Sequence, residues 1–181
     1  MANGRVAVQK RNGKKNDLIM TPPPLAEQIV GHYSHLIGRR TSYLDPCEGC
    51  GAFYGAVKRL CMDNPMMSLE INKVNGQDFF DFKFRVDVII SNPPYSVLSD
   101  WLCHSFQISD DVVYLVQTTS PFFTKRMRIA DEAGFGIVEV YRVSCPFEWR
   151  RQKLSFGTGL AAVHWRRGHH CEWLTDGTKE D

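Results

Sequence analysis

The chain has 181 residues, of which 43% are hydrophobic, 12% aromatic and 23% charged, a globular composition that excludes collagenous and disordered classes. At this length folding buries about 70% of the unfolded surface, enough for a full core without disulfides or structural metal. The net charge of +2, from 22 Lys+Arg against 20 Asp+Glu, is too small to announce a polyanionic partner by itself, and no stretch approaches the roughly 18 apolar residues of a membrane-spanning helix.

In chain order, residues 1–17 read as a basic, flexible arm, carrying Arg5, Lys10, Arg11, Lys14 and Lys15 and no acid before Asp17. They lack the apolar core of a signal peptide, so a reducing cytoplasmic setting with free thiols is expected. Pro22-Pro23-Pro24 opens a helix in which Leu25, Ile29, Tyr33 and Leu36-Ile37 recur at helical spacing. Thr41 to Leu44 is a strand, Ala52 to Met62 a helix and Met66 to Ile71 a strand; Val86 to Ile90 is a buried strand and Val97 to Phe106 a helix. Val112 to Val116, Gly136 to Arg142 and Thr158 to Trp165 complete the strands, with a helix over Thr124 to Ala133 stopped by Gly134. This alternation predicts an α/β sheet with helices on both faces. The expected organisation is one domain over 18–174 and a polar tail over 175–181.

Four strand-end segments carry candidate chemistry. Ser91-Asn92-Pro93-Pro94-Tyr95 follows the buried strand Val86 to Ile90; Pro93 keeps Asn92 out of helical geometry, and the two prolines leave a rigid polar acceptor, although an ordinary Asn-Pro turn would carry the same residues. Asp45-Pro46-Cys47-Glu48-Gly49-Cys50-Gly51 runs from a strand into a helix. Its glycines allow close approach of a ligand, and Asp45 disfavours a phosphate and suits a cationic or zwitterionic one. Glu70, nineteen residues after Gly51, can accept both hydroxyls of a ribose. Asp78-Phe79 offers a carboxylate for an exocyclic amine and an aromatic face for a purine. Cys47-x-x-Cys50 lacks a second paired knuckle, and Cys61, Cys103 and Cys145 stand alone, so no metal is expected.

Together, in this order, the four segments resemble the S-adenosylmethionine-dependent adenine-N6 methyltransferases of DNA, over about Thr21 to Gly168. The resemblance implies a Rossmann-like class I methyltransferase fold with a mostly parallel sheet of about seven strands. It implies S-adenosyl-L-methionine as cofactor, with its methionine part beside Thr21, Pro22, Asp45, Pro46, Gly49 and Gly51, its ribose at Glu70 and its adenine at Asp78 and Phe79. Asn92, Pro93, Pro94 and Tyr95 match the catalytic motif. Phe156 is implied near the target base, with Arg150, Arg151 and Lys153 as phosphate contacts. Nucleic acid is the expected partner, DNA rather than RNA, with no membrane; the chain is too short for the family's usual separate target-recognition domain, so a homodimer or a second subunit is expected to supply target specificity. Cys47, Glu48 and Cys50 depart from the family's usual loop. Methylation of an RNA base or of a protein glutamine amide, and a non-catalytic subunit that binds cofactor or nucleic acid, are the alternative readings.

Overall fold

The computed structural model describes residues 19–38, 40–63, 65–70, 77–144, 149 and 159–171. The basic arm, the polar tail, Arg150, Arg151, Lys153 and Phe156 lie outside the described residues. Helix α1 (Pro23–His32) begins with prolines in its first turn, where the missing N–H groups have no helical partner, and buries Leu25, Ala26, Ile29 and Val30. Then follow β1 (Tyr43–Asp45), α2 (Ala52–Leu60), β2 (Met66–Ser68), β3 (Val88–Ser91), α3 (Leu98–Ile108), β4 (Asp111–Gln117), α4 (Thr124–Glu132), β5 (Phe135–Val143) and β6 (Leu160–Arg167). Every segment expected from the sequence is present. The second strand shrinks to three residues, and α3 is entered through a 3-10 turn, Tyr95–Val97.

The six strands form one sheet in the order β2-β1-β3-β4-β6-β5. β2, β1, β3 and β4 are mutually parallel, and β6 inserts antiparallel between β4 and β5. The described residues therefore contain six strands against the seven or so that the resemblance implies. The inner strands are apolar on both faces because helices cover both, the burial of a parallel sheet. Tyr43, Val88, Ile90, Val113 and Leu115 pack under α1 and α2, together with Trp149. Leu44, Ile89, Val112, Tyr114 and Val116 pack under α3 and α4. The edge strand β5 carries a bulge between Ile137 and Glu139, which interrupts an otherwise open ladder.

Ile89 is fully buried at the centre of β3. Ile89→Ala is expected to cost about 2–5 kcal/mol, read as a lower urea midpoint at unchanged slope; a cost below about 1 kcal/mol would mean that this part of the core closes over the void. No described helix is long and apolar enough to cross a membrane.

Candidate active site

The sheet order places β1 between β2 and β3. The chain therefore leaves β1 toward one edge and returns to the other side of it. In open α/β sheets ligands bind in the crevice that such a switch opens at the carboxyl ends of the strands. Asp45 ends β1 and Ser91 ends β3, and their side chains meet there: Ser91 Oγ donates to Asp45 Oδ1 at 2.7 Å, and the Cys47 N–H donates to the same oxygen at 3.3 Å. Asp45 is 0% exposed, and its Oδ2 is buried with no hydrogen-bond partner. Burial raises its pKa to about 7 against the opposing pull of the Ser91 and Cys47 hydrogen bonds. A buried carboxylate oxygen without a donor is costly unless a donor or cation arrives, so this side chain is suited to a positively charged or N–H-bearing ligand group.

The loop after β1 is tied to the end of β2. The Gly49 N–H donates to Glu70 Oε2 at 2.9 Å, Ser68 Oγ donates to Glu48 Oε2 at 2.8 Å, and the Glu48 N–H donates to the Leu69 carbonyl at 2.9 Å. Gly49 has φ +53°, a left-handed conformation that favours glycine, and a Cβ there would sit 2.9 Å from Sδ of the flexible Met20 side chain, which would have to move aside. Gly51, at φ +79°, is the N-cap of α2. Two of the three unusual loop residues thereby acquire structural roles: Glu48 holds Ser68, and Cys50 Sγ contacts the Thr21 carbonyl at 3.6 Å. The Cys47 thiol is pushed up by burial first, then by Asp45 and Glu70, and stays protonated. Among the described residues no cluster of three His, Cys, Asp or Glu side chains is placed to hold a metal.

Asn92 stands one residue beyond β3. Its Nδ2 donates both hydrogens, to the Ile19 carbonyl and to Thr21 Oγ1, each at 3.1 Å. Reversing the amide would set its oxygen against the Ile19 carbonyl, so the network fixes the orientation. Oδ1 is left buried with no hydrogen-bond partner. The result is a rigid acceptor whose donors are already spent. Thr21 is buried and Pro22 is the N-cap of α1, so the segment that leads into α1 is also the one that orients Asn92. Trp149 closes the back of this segment by donating its indole N–H to the Met20 carbonyl at 3.0 Å. Pro46, Pro93 and Pro94 are buried, and Tyr95, half-buried, opens the 3-10 turn and packs on the α3 side of the core.

Direct hydrogen bonds thus join Thr21 to Asn92 and Gly49 to Glu70, and the Asp45–Ser91 bond links the two loops. Asp78 is placed differently. Its Oδ1 accepts the Phe80 N–H at 3.0 Å and caps the 3-10 turn Phe79–Asp81. The expectation for Phe79 requires correction: its ring is 3% exposed, 4.6 Å from Trp101 and 4.7 Å from His104, and has no open face for a purine. The turn directs Phe79 into the core and leaves the neighbouring Phe80 half-buried. Ser91, the Ile19 carbonyl and Trp149 are site residues that sequence reasoning missed. Only Ser91 carried a signal, as a hydroxyl that ends an otherwise apolar strand immediately before Asn92.

No family model matches the sequence, and no curated protein matches it significantly. Solved structures do resemble the fold. A protein from Pyrococcus horikoshii assigned as an RNA methyltransferase superposes with a TM-score of 0.65 at 16% identity, over 88% of this chain and 92% of that one. A Listeria monocytogenes protein assigned as a class I S-adenosylmethionine-dependent methyltransferase gives a TM-score of 0.64 at 11% identity, over 92% of this chain and 66% of that one. A modification subunit assigned to a type I restriction enzyme of Vibrio vulnificus gives 0.59 at 16% identity, over 92% of this chain and 46% of that one. This chain thus spans just under two thirds of the second neighbour and less than half of the third. The strand order, with its switch point at β1, and these superpositions together show that the chain has the Rossmann-like fold of the class I methyltransferases.

Proposed function

We propose that residues 18–174 form a methyltransferase domain that uses S-adenosyl-L-methionine, acts in the cytoplasm, and methylates the exocyclic N6 amine of adenine in DNA. The observation that carries this reading is the Asn92 amide, whose N–H groups are both spent and whose oxygen is buried without a partner. It lies one residue beyond the Ser91–Asp45 contact that bridges the ends of β3 and β1. An acceptor held in this way has no use to the fold and suits a substrate N–H.

The residues present fit the cofactor. The orphaned Asp45 oxygen suits an ammonium group, Gly51 has no atom closer than ordinary contact over its Cα, and Glu70, just beyond β2, is tied to the Gly49 N–H beside it. Asp45, Thr21, Pro22, Pro46, Gly49 and Gly51 would surround the methionine part, Glu70 the ribose and Asp78 the adenine amine. When bound, S-adenosyl-L-methionine supplies an electrophilic methyl group on a sulfonium.

An exocyclic aromatic amine is a poor nucleophile because its lone pair is delocalised into the ring. Asn92 Oδ1 and the Pro93 carbonyl, accepting its two hydrogens, favour a pyramidal nitrogen and stabilise the positive charge that develops there. Such alignment is worth up to about 7–11 kcal/mol and needs no covalent intermediate, after which the proton passes to solvent. Tyr95 would stack on the base. Arg150, Arg151, Lys153 and Phe156 remain candidate substrate contacts. The order of the strand-end segments favours DNA, and the restriction-enzyme subunit and the RNA methyltransferase among the structural neighbours are consistent with a nucleic-acid acceptor. A second subunit or a homodimer would supply target specificity.

The test is incubation with methyl-labelled S-adenosyl-L-methionine and, separately, duplex DNA, single-stranded DNA, RNA and protein extract, followed by nucleoside and amino-acid analysis. The expected product is N6-methyladenine in DNA. Label in an RNA base or in glutamine would replace the acceptor, and cofactor binding with no label in any acceptor would make the chain a binding subunit.

A further inference from the structure

We propose that the turn after β4, with the start of α4, is a docking platform for a single strand of nucleic acid flanking the target base. The proposal rests on the reading of the chain as a nucleic-acid methyltransferase and adds the form of the substrate. β3 and β4 are parallel neighbours, with Ser91 paired to Tyr114, so the Asn92 loop and the turn Ser120–Phe122 leave the sheet at the same edge.

Two consecutive aromatic side chains are open to solvent at that edge, Phe122 at 40% and Phe123 at 57% exposure. They belong to an ordered turn. Arg126 Nη1 donates to the Ser120 carbonyl at 2.8 Å and to Ser120 Oγ at 2.6 Å, and the guanidinium carbon lies 5.1 Å from the centroid of the Phe123 ring. The Phe123 carbonyl accepts the Arg126 and Met127 N–H groups at 2.7 and 3.1 Å. Order without burial is what a stacking surface requires, because its entropy cost is met before a ligand arrives.

The charges that follow the rings in sequence, through Arg128, are of one sign. The first turn of α4 has no acid and carries Lys125 and Arg126, followed by Arg128, whereas the acids Asp131 and Glu132 sit at the far end. This is the reverse of what the helix dipole favours. Arg128 contacts Glu132 across an exposed 3.6 Å pair, which leaves Lys125, exposed on the first turn, as the cation nearest the rings in sequence. Aromatic faces beside cations fit the bases and phosphates of a single strand. A duplex keeps its base faces stacked inside and offers the rings nothing to cover.

The probes are a fluorescein-labelled 12-nucleotide single strand and its duplex, titrated by anisotropy into the wild type, Phe123→Ala, the Phe122→Ala/Phe123→Ala double variant and Lys125→Gln. S-adenosylhomocysteine calorimetry serves as the control. Loss of a stacking ring should weaken single-strand binding by about 5- to 100-fold, with a much smaller change for the duplex and an unchanged affinity for S-adenosylhomocysteine. Lys125→Gln should lower the salt slope for the single strand by about 0.7. Unchanged single-strand affinity in the double variant overturns the platform, and if that variant still methylates DNA with the wild-type KM, the methyltransferase reading stands without it. A wild type that binds S-adenosylhomocysteine but neither strand form removes both. A KM for a labelled protein acceptor that rises in Phe123→Ala, with no effect on the oligonucleotides, would make the surface a protein-docking site and overturn the proposal as well.

Discussion

Replacing Asn92 with alanine is expected to lower methyl transfer by about 100- to 1,000-fold, the usual consequence of deleting one preorganised dipole that meets charge developing in a transition state. Cofactor affinity should change far less than transfer, because the free Asn92 oxygen is assigned to the substrate amine and only its hydrogen bond to Thr21 reaches the cofactor side of the site. Single-turnover transfer and cofactor calorimetry on the same preparation separate the two effects. Activity within a factor of about three of wild type would remove Asn92 from the reaction. A parallel loss of cofactor binding would instead mean that Asn92 acts by holding the segment around Thr21.

The second large effect concerns Asp45, whose pKa is raised to about 7 chiefly by burial. A carboxyl that holds its proton more tightly in the folded chain carries no penalty below about pH 3, where both states are protonated, and only a small one near pH 4, where the unfolded chain is about half ionised. As pH rises from about 4 to 7 the unfolded chain loses the proton first and folding becomes progressively less favourable; above 7 the full penalty remains. Asp45→Asn removes the ionisation but leaves a buried N–H2 where Oδ2 stood. The expected result is therefore a net gain of about 1–3 kcal/mol at pH 8, disappearing toward pH 4. Cofactor affinity should fall by about 10- to 100-fold with the loss of a charge-assisted hydrogen bond. In the wild type that affinity should rise between pH 6 and pH 8, whereas the variant should stay flat. Urea titrations at the two pH values and calorimetry across the range provide the readouts. Equal stability of the two proteins at pH 8, or undiminished affinity in the variant, would contradict the assignment of the orphaned oxygen to a cationic ligand group.

At Asp45 the expected gain in stability and loss of cofactor affinity are two sides of one property. An ionised carboxylate at the end of β1 is a liability to the free protein and an asset to a cationic ligand. Asn92 shows the same logic in neutral form, since an acceptor left without a donor costs the fold and serves a substrate.

Local pattern alone determined the elements of this protein. Val86 to Ile90 reads as a strand because a parallel strand covered on both faces is a continuous apolar run, and Pro93-Pro94 must stop it. The prolines at 22–24 open α1 and the glycines at 49 and 51 mark a tight loop, because the backbone geometry of those residue types is set before any tertiary contact forms. Strand ends that carry Asp45, Glu70 and Asn92 were legible for the same reason. Tertiary structure alone decided the pairings. The insertion of β6 between β4 and β5 depends on contacts between distant segments, which a local pattern does not encode. The Asn92 amide is fixed by Ile19 and Thr21, more than seventy residues away in the chain, and the Asp45 carboxylate by Ser91. Phe79 and Phe80 are equivalent in sequence, and a single 3-10 turn sends one into the core. Phe122 and Phe123 are apolar in sequence; among the described residues they stand in solvent, on a turn that the Arg126–Ser120 hydrogen bonds order.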